Sequence, residues 1–85
     1  MEIIYLPKAD EDLAFWIRVG NKSILKKIAQ LTAAIIENPI NGIGKPEALK
    51  HNLSGKWSRR INDEHRYVYQ IKNDTLIVYS LKGHY

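Results

Sequence analysis

The chain has no cysteine, one methionine, one phenylalanine and three prolines in 85 residues. Without cysteine there is no disulfide framework, no thiolate nucleophile and no zinc knuckle. No apolar run approaches the ~18 residues that would cross a bilayer. The opening Met1-Glu2-Ile3-Ile4-Tyr5 lacks the features of a secretory leader, so residence in the cytoplasm, away from membranes, is expected. There is no repeat, low-complexity stretch or internal linker, which predicts one domain over residues 1–85. A chain this short buries only a little over ~60% of its unfolded surface, enough for one compact core. His51, His65 and His84 share no fixed helical spacing. Neither a metal site nor a cofactor is expected from them.

What the chain does have is positive charge, unevenly placed. Residues 1–44 are balanced, whereas residues 45–66 hold six Lys/Arg against three Asp/Glu. A concentration of this kind fits a face that binds a polyanion. It is equally compatible with a solvated basic surface.

Hydropathy patterning orders the chain as β-α-α-β-β-β-β. Glu2–Leu6 reads as a strand closed by Pro7. Residues 9–19 carry acids in the first turn and stop at Gly20, as a helix does. Asn21 can cap a second helix, with Ile24, Ile28, Leu31 and Ile35 along one face and Asn38-Pro39 ending it. Leu25, Thr32 and Ile36 widen that stripe. The glycines at 42 and 44 mark a loop. Residues 48–53 are a weak strand and 57–62 a better one. In 65–72, Tyr67, Tyr69 and Ile71 alternate against Arg66, Val68 and Gln70. Asn73-Asp74 is a hairpin turn leading into 75–82. The fold class expected is α+β, with both helices on one face of a twisted, mostly antiparallel sheet. Alternation sends Arg60 and Arg66 to the opposite, open face, where a groove would suit a phosphate backbone.

Glu47, the cations around it and the terminal His84-Tyr85 form a set able to cleave RNA without metal. The RNA's own 2′-hydroxyl must attack the adjacent phosphate. That needs a base, a cation for the charge building on phosphorus oxygens, and an acid for the departing 5′ oxygen. Glu47 can be the base, Arg66 the clamp through its planar fork, and His84 the acid. Burial would raise the basicity of Glu47, while the cations favour its ionised form. Plainer readings stand beside these. Glu47 could pair with Lys50 on the surface, Arg60 and Arg66 could be solvated, and His84-Tyr85 could be a frayed end. His65 lies on the apolar face with Tyr67, which favours a structural role. Trp16 and Trp57 read as core or partner-interface residues.

The segment Lys45-Pro-Glu-Ala-Leu-Lys50, then Trp57-Ser-Arg-Arg-Ile61, then Glu64-His-Arg66 with Val68-Tyr69, and the final His84-Tyr85, closely resembles the Txe/YoeB toxin family. That family lies in the RelE-like group of type II toxin–antitoxin modules. The resemblance covers the whole chain and implies a RelE-like fold. It implies a ribosome-dependent endoribonuclease that enters the A site and cuts the mRNA codon there. It also implies a cognate antitoxin protein, a homodimer, and operator DNA bound indirectly through the antitoxin complex. Matched residue by residue, Glu47 is the general base, Arg66 the transition-state cation and His84 the general acid. Tyr85 shapes the site. Lys50 and Arg60 support phosphate and RNA, and Lys45, His51 and Arg59 are expected on ribosomal or substrate RNA. The family frequently has proline after the glutamate, where this chain has Ala48; no chemical group is lost by that.

Two other functions compete with cleavage, the first sharing its basic face and the second resting on helices that bind a partner. A non-cleaving binder could block translation by occupancy, and would tolerate Glu47→Gln. A protein-interaction subunit would expose apolar residues such as Phe15 or Ile40, a property a toxin with an antitoxin also needs. If His84 works at the site, extension beyond Tyr85 should harm activity more than extension before Met1.

Overall fold

A computed structural model describes residues 1–84. The order is β1 (Glu2–Tyr5), α1 (Pro7–Arg18), α2 (Lys22–Glu37), β2 (Glu47–Ala48), β3 (Trp57–Arg60), β4 (Arg66–Lys72) and β5 (Thr75–Ser80), with a 3-10 turn at His51–Leu53. The sheet runs β1-β5-β4-β3-β2. All its pairings are antiparallel except β1 with β5.

Helix α2 follows its hydrophobic stripe. Ile24, Ile28, Leu31 and Ile35 are its buried residues, while Ile36 at the margin remains exposed. Asn21 caps it, its side chain accepting from the Ile24 amide at 3.1 Å. Pro7 begins α1 rather than closing β1. At a first helical position its missing N–H costs nothing and its fixed φ suits the helix. Both helices pack on the sheet face that carries Tyr67, Tyr69, Leu76 and Val78, all fully buried. Thr32 of α2 shares a 2.7 Å hydrogen bond with the Tyr67 hydroxyl. Asn73 and Asp74, at φ 51° and 58°, make the tight β4–β5 turn.

The 48–53 segment departs from the expected strand. Pairing stops after Ala48, and the chain turns through His51 at φ 59°. That left-handed backbone is incompatible with an extended ladder. Strand β3 likewise ends at Arg60, because Asn62 closes a turn by accepting from the Glu64 and His65 amides.

The face away from the helices is only partly open. Ser58 and Val68 on it are buried. The β2–β3 connection lies against its centre, with Lys56 Nζ 4.2 Å from the Tyr79 ring centroid and Tyr79 bonded to Gln70.

Candidate active site

Strand register gathers the candidate residues. Residues directly opposite in an antiparallel pair share a face. Glu47 is opposite Ser58, and Arg60 is opposite Arg66. Ser58 and Arg60 are two apart on β3, so Glu47, Arg60 and Arg66 lie on one side of the sheet, away from the helices. Two strand spacings and a two-residue step put roughly 12 Å between the Glu47 and Arg66 backbones. Long side chains reaching inward from those positions can meet on one phosphodiester.

The Arg66 Nη1 donates to the carbonyls of Asn62 at 2.8 Å and of Asp63 and His65 at 3.2 Å. These contacts hold the guanidinium in place over the β3–β4 turn. Arg60 and Glu47 are both exposed, so the burial considered for Glu47 is not found. Glu47 also borders a hollow of about 650 Å³, formed by residues 47–53 and including Lys50, His51 and Asn52. Lys45, Lys50 and His51 are all exposed around this edge.

The other flank is the C-terminal segment. The Arg66 amide donates to the Gly83 carbonyl at 3.0 Å. The Gly83 amide in turn donates to His65 Nδ1 at 2.9 Å. His65 is thus the structural histidine expected, and it stacks edge-on against Trp16 at 4.9 Å. His84, exposed and next to Gly83, falls on the β5 side of Arg66, while Glu47 falls on the β2 side. Tyr85 lies outside the described residues. Among the described residues, no three His, Asp or Glu side chains cluster as metal ligands would.

Three residues that hold the tail escape a composition-based reading. Asp12, buried in α1, accepts from the Leu81 amide at 2.9 Å and from Lys8 Nζ at 2.7 Å. Lys8 also reaches the Lys82 carbonyl, and Trp16 Nε1 donates to the Leu81 carbonyl at 3.0 Å. The i, i+4, i+8 spacing of Lys8, Asp12 and Trp16 was the available signal, since it aligns them on one helix face.

Arg59 corrects the expectation of RNA contact. It is fully buried on the helix side, opposite Tyr67, and donates to backbone carbonyls and the Tyr69 hydroxyl. No phosphate can reach it there. Phe15 is likewise not a free apolar residue. It packs partly buried beside Trp16, with Lys82 Nζ 4.7 Å from its ring centroid. Ile40 does stay exposed. Burial pushes the Tyr67 and Tyr69 phenols up, so both stay neutral donors.

With this geometry in view, comparison with known proteins is decisive. The model of the YoeB-like toxin of bacterial type II toxin–antitoxin systems matches residues 5–85. The chain belongs to that family. The toxin YoeB of Escherichia coli strain K12 is 44% identical over the full length of both chains. The YoeB/ParE toxin from Agrobacterium tumefaciens superposes with TM-score 0.96 at 36% identity, each chain fully covered. YoeB of Staphylococcus aureus, solved in a YoeB–YefM complex, matches with TM-score 0.90 at 44% identity, over 100% of this chain and 98% of that one. A YoeB dimer from S. aureus also matches, with TM-score 0.90 at 43% identity, over 100% of this chain and 98% of that one. The architecture is therefore the RelE-like fold, and the protein is a toxin of a type II toxin–antitoxin system. Among the described residues no helix is long and apolar enough to cross a membrane.

Proposed function

We propose that this toxin inhibits translation in the cytoplasm as a ribosome-dependent, metal-independent mRNA endoribonuclease. It enters the ribosomal A site and cuts the codon presented there. The observation that carries the reading is the shared face of Glu47, Arg60 and Arg66, with Gly83, the residue before His84, bonded to the Arg66 amide on the far flank. In the proposed reaction Glu47 takes the proton from the 2′-hydroxyl. The 2′ oxygen then forms a bond to phosphorus. Arg66, supported by Arg60 and Lys50, stabilises the charge on the non-bridging oxygens. The bond from phosphorus to the 5′ oxygen breaks, and His84 supplies that oxygen's proton. The products are a 2′,3′-cyclic phosphate and a 5′-hydroxyl. Tyr85 helps shape the site, and Lys45 and His51 contact RNA backbone at its edge.

A cognate antitoxin neutralises the toxin, and the toxin pairs with itself. The YoeB–YefM complex and the YoeB dimer, both from S. aureus, support these two partnerships. Operator DNA is bound through the antitoxin.

Primer extension on mRNA in a purified translation system tests the proposal. Wild type should give discrete cuts within A-site codons only when ribosomes are present. Glu47→Gln and His84→Gln should lose them. Arrest with intact mRNA, unchanged by Glu47→Gln, would instead indicate a translation inhibitor that binds without cleaving.

A further inference from the structure

We infer that Arg59 is a positioning residue, whose guanidinium sets the α2–β2 loop and thereby delivers Glu47 to the sheet edge. The inference rests on the proposed role of Glu47.

Arg59 is fully buried, yet the acceptors around it are neutral. Its Nη1 donates to the Ile43 carbonyl at 3.2 Å. Its Nη2 donates to the carbonyls of Asn38 and Asn41. Its Nε donates to the Tyr69 hydroxyl at 3.2 Å, and that hydroxyl donates to the Pro39 carbonyl at 2.6 Å. Directly or through Tyr69, one guanidinium thus fastens four carbonyls between residues 38 and 43. The planar fork makes this possible, and a lysine could not reproduce it.

Burying that cation is expensive, and an apolar residue of similar volume would often serve stability as well. A guanidinium here gains something different, which is one defined path for the loop. The path is tight. A Cβ at Gly42, where φ is 129°, would come within 3.0 Å of Arg59 Nη1. A Cβ at Gly44 would fall 2.8 Å from Leu31 Cδ2 and 3.1 Å from Arg59 Cβ. Lys45 then takes φ 51°, a left-handed conformation rarely held without support.

The loop leads straight into β2, which is two exposed residues long and forms an edge. A ladder this short holds its strand only weakly. The Glu47 backbone is anchored on one side by the Leu49 amide, which donates to the Lys56 carbonyl, and on the other by the loop that precedes it. The next residue on β3 continues the link, because the Arg60 amide donates to the Gly44 carbonyl at 2.6 Å. Arg59 and Arg60 point to opposite faces, so one peptide couples the buried clamp to a cation of the RNA face.

The test uses Arg59→Lys, which keeps the charge but loses the fork, and Tyr69→Phe, which removes only the bridging hydroxyl. Three quantities are measured: single-turnover mRNA cleavage at saturating toxin, ribosome affinity, and exchange of the Leu49 amide, which donates to the Lys56 carbonyl beside β2. Arg59→Lys should slow cleavage roughly 10–100-fold, the scale of a misplaced catalytic group, with affinity within about two-fold of wild type. Tyr69→Phe should show the same split at smaller size, and decides the matter if Arg59→Lys does not fold. In a Glu47→Gln background, either change should remove little further residual activity, since both act through Glu47. Unchanged cleavage, loss confined to affinity, or full additivity with Glu47→Gln would overturn the inference. If wild type itself leaves mRNA intact, the proposed function fails. Leu49 exchange then decides, faster exchange in Arg59→Lys supporting the positioning role and unchanged exchange refuting it.

Discussion

Replacing Asp12 with alanine should loosen the C-terminal segment that carries His84. Asp12 Oδ2 serves two donors of unequal weight. The Leu81 amide is buried, and leaving it without an acceptor costs about 1–3 kcal/mol. The Lys8 side chain is 58% exposed, so its ion pair contributes at most about 1 kcal/mol. The combined loss of roughly 1–4 kcal/mol should lower the melting temperature by about 4 °C or more in a domain of this size. Thermal unfolding followed by circular dichroism measures it, with two controls. Lys8→Met removes only the exposed partner and should cost at most about 1 kcal/mol. Asp12→Asn keeps an acceptor for Leu81 and should cost less than half as much as Asp12→Ala. At a temperature where Asp12→Ala remains folded, its mRNA cleavage should still fall, because Leu81 lies three residues before His84. If Asp12→Ala proves no more destabilising than Lys8→Met, the Leu81 bond does not fasten the tail and the reasoning fails.

Stability at high pH should reflect the buried phenols. Burial raises the Tyr67 value in the folded state, so its stability contribution is complete below the ordinary phenol value of ~10 and falls as pH rises above it. Melts from pH 8 to 11 should show that decline, less steep in Tyr67→Phe, and equal slopes would contradict it. Ribosome affinity should fall with salt, and Arg60→Gln should reduce the slope of log affinity against log salt by about 0.7–0.9, one phosphate contact. A flat salt response would remove the basic face from binding. Gly44→Ala, at φ 84° with only 2.8 Å to Leu31 Cδ2, should cost about 1–3 kcal/mol in a denaturant titration. A wild-type midpoint would show that the loop has room to give.

Local periodicity made much of this molecule legible. Ile24, Ile28, Leu31 and Ile35 repeat at helical spacing, and all four are buried. Alternation around Tyr67 and Tyr69 sorted the two faces of β4, which also put Arg66 with Arg60. Asn73-Asp74 announced its turn because few residues adopt left-handed backbone cheaply. Contacts between distant segments were hidden. The short reach of β2 depends on the turn at His51, and the parallel pairing of β1 with β5 joins residues some seventy positions apart. Asp12 looked like a helix-dipole complement, because its partner at Leu81 is remote in the chain. The family resemblance sets Arg59 on RNA, whereas the structure buries it. The same alternation that turns Trp57 and Ile61 inward places Arg59 there too, and a cation at an inward position was the clue to the loop clamp.

The central claim is that the RNA's own 2′-hydroxyl performs the attack, with Glu47, Arg66 and His84 serving it. The direct measurement is cleavage of ribosome-bound mRNA carrying a single 2′-deoxynucleotide at the cut position. The account predicts that the all-ribose message is cut to a 2′,3′-cyclic phosphate and a 5′-hydroxyl, while the deoxy-substituted message stays intact under the same occupancy. Cutting of the deoxy message at that position would show that another nucleophile attacks, and would contradict the assigned chemistry.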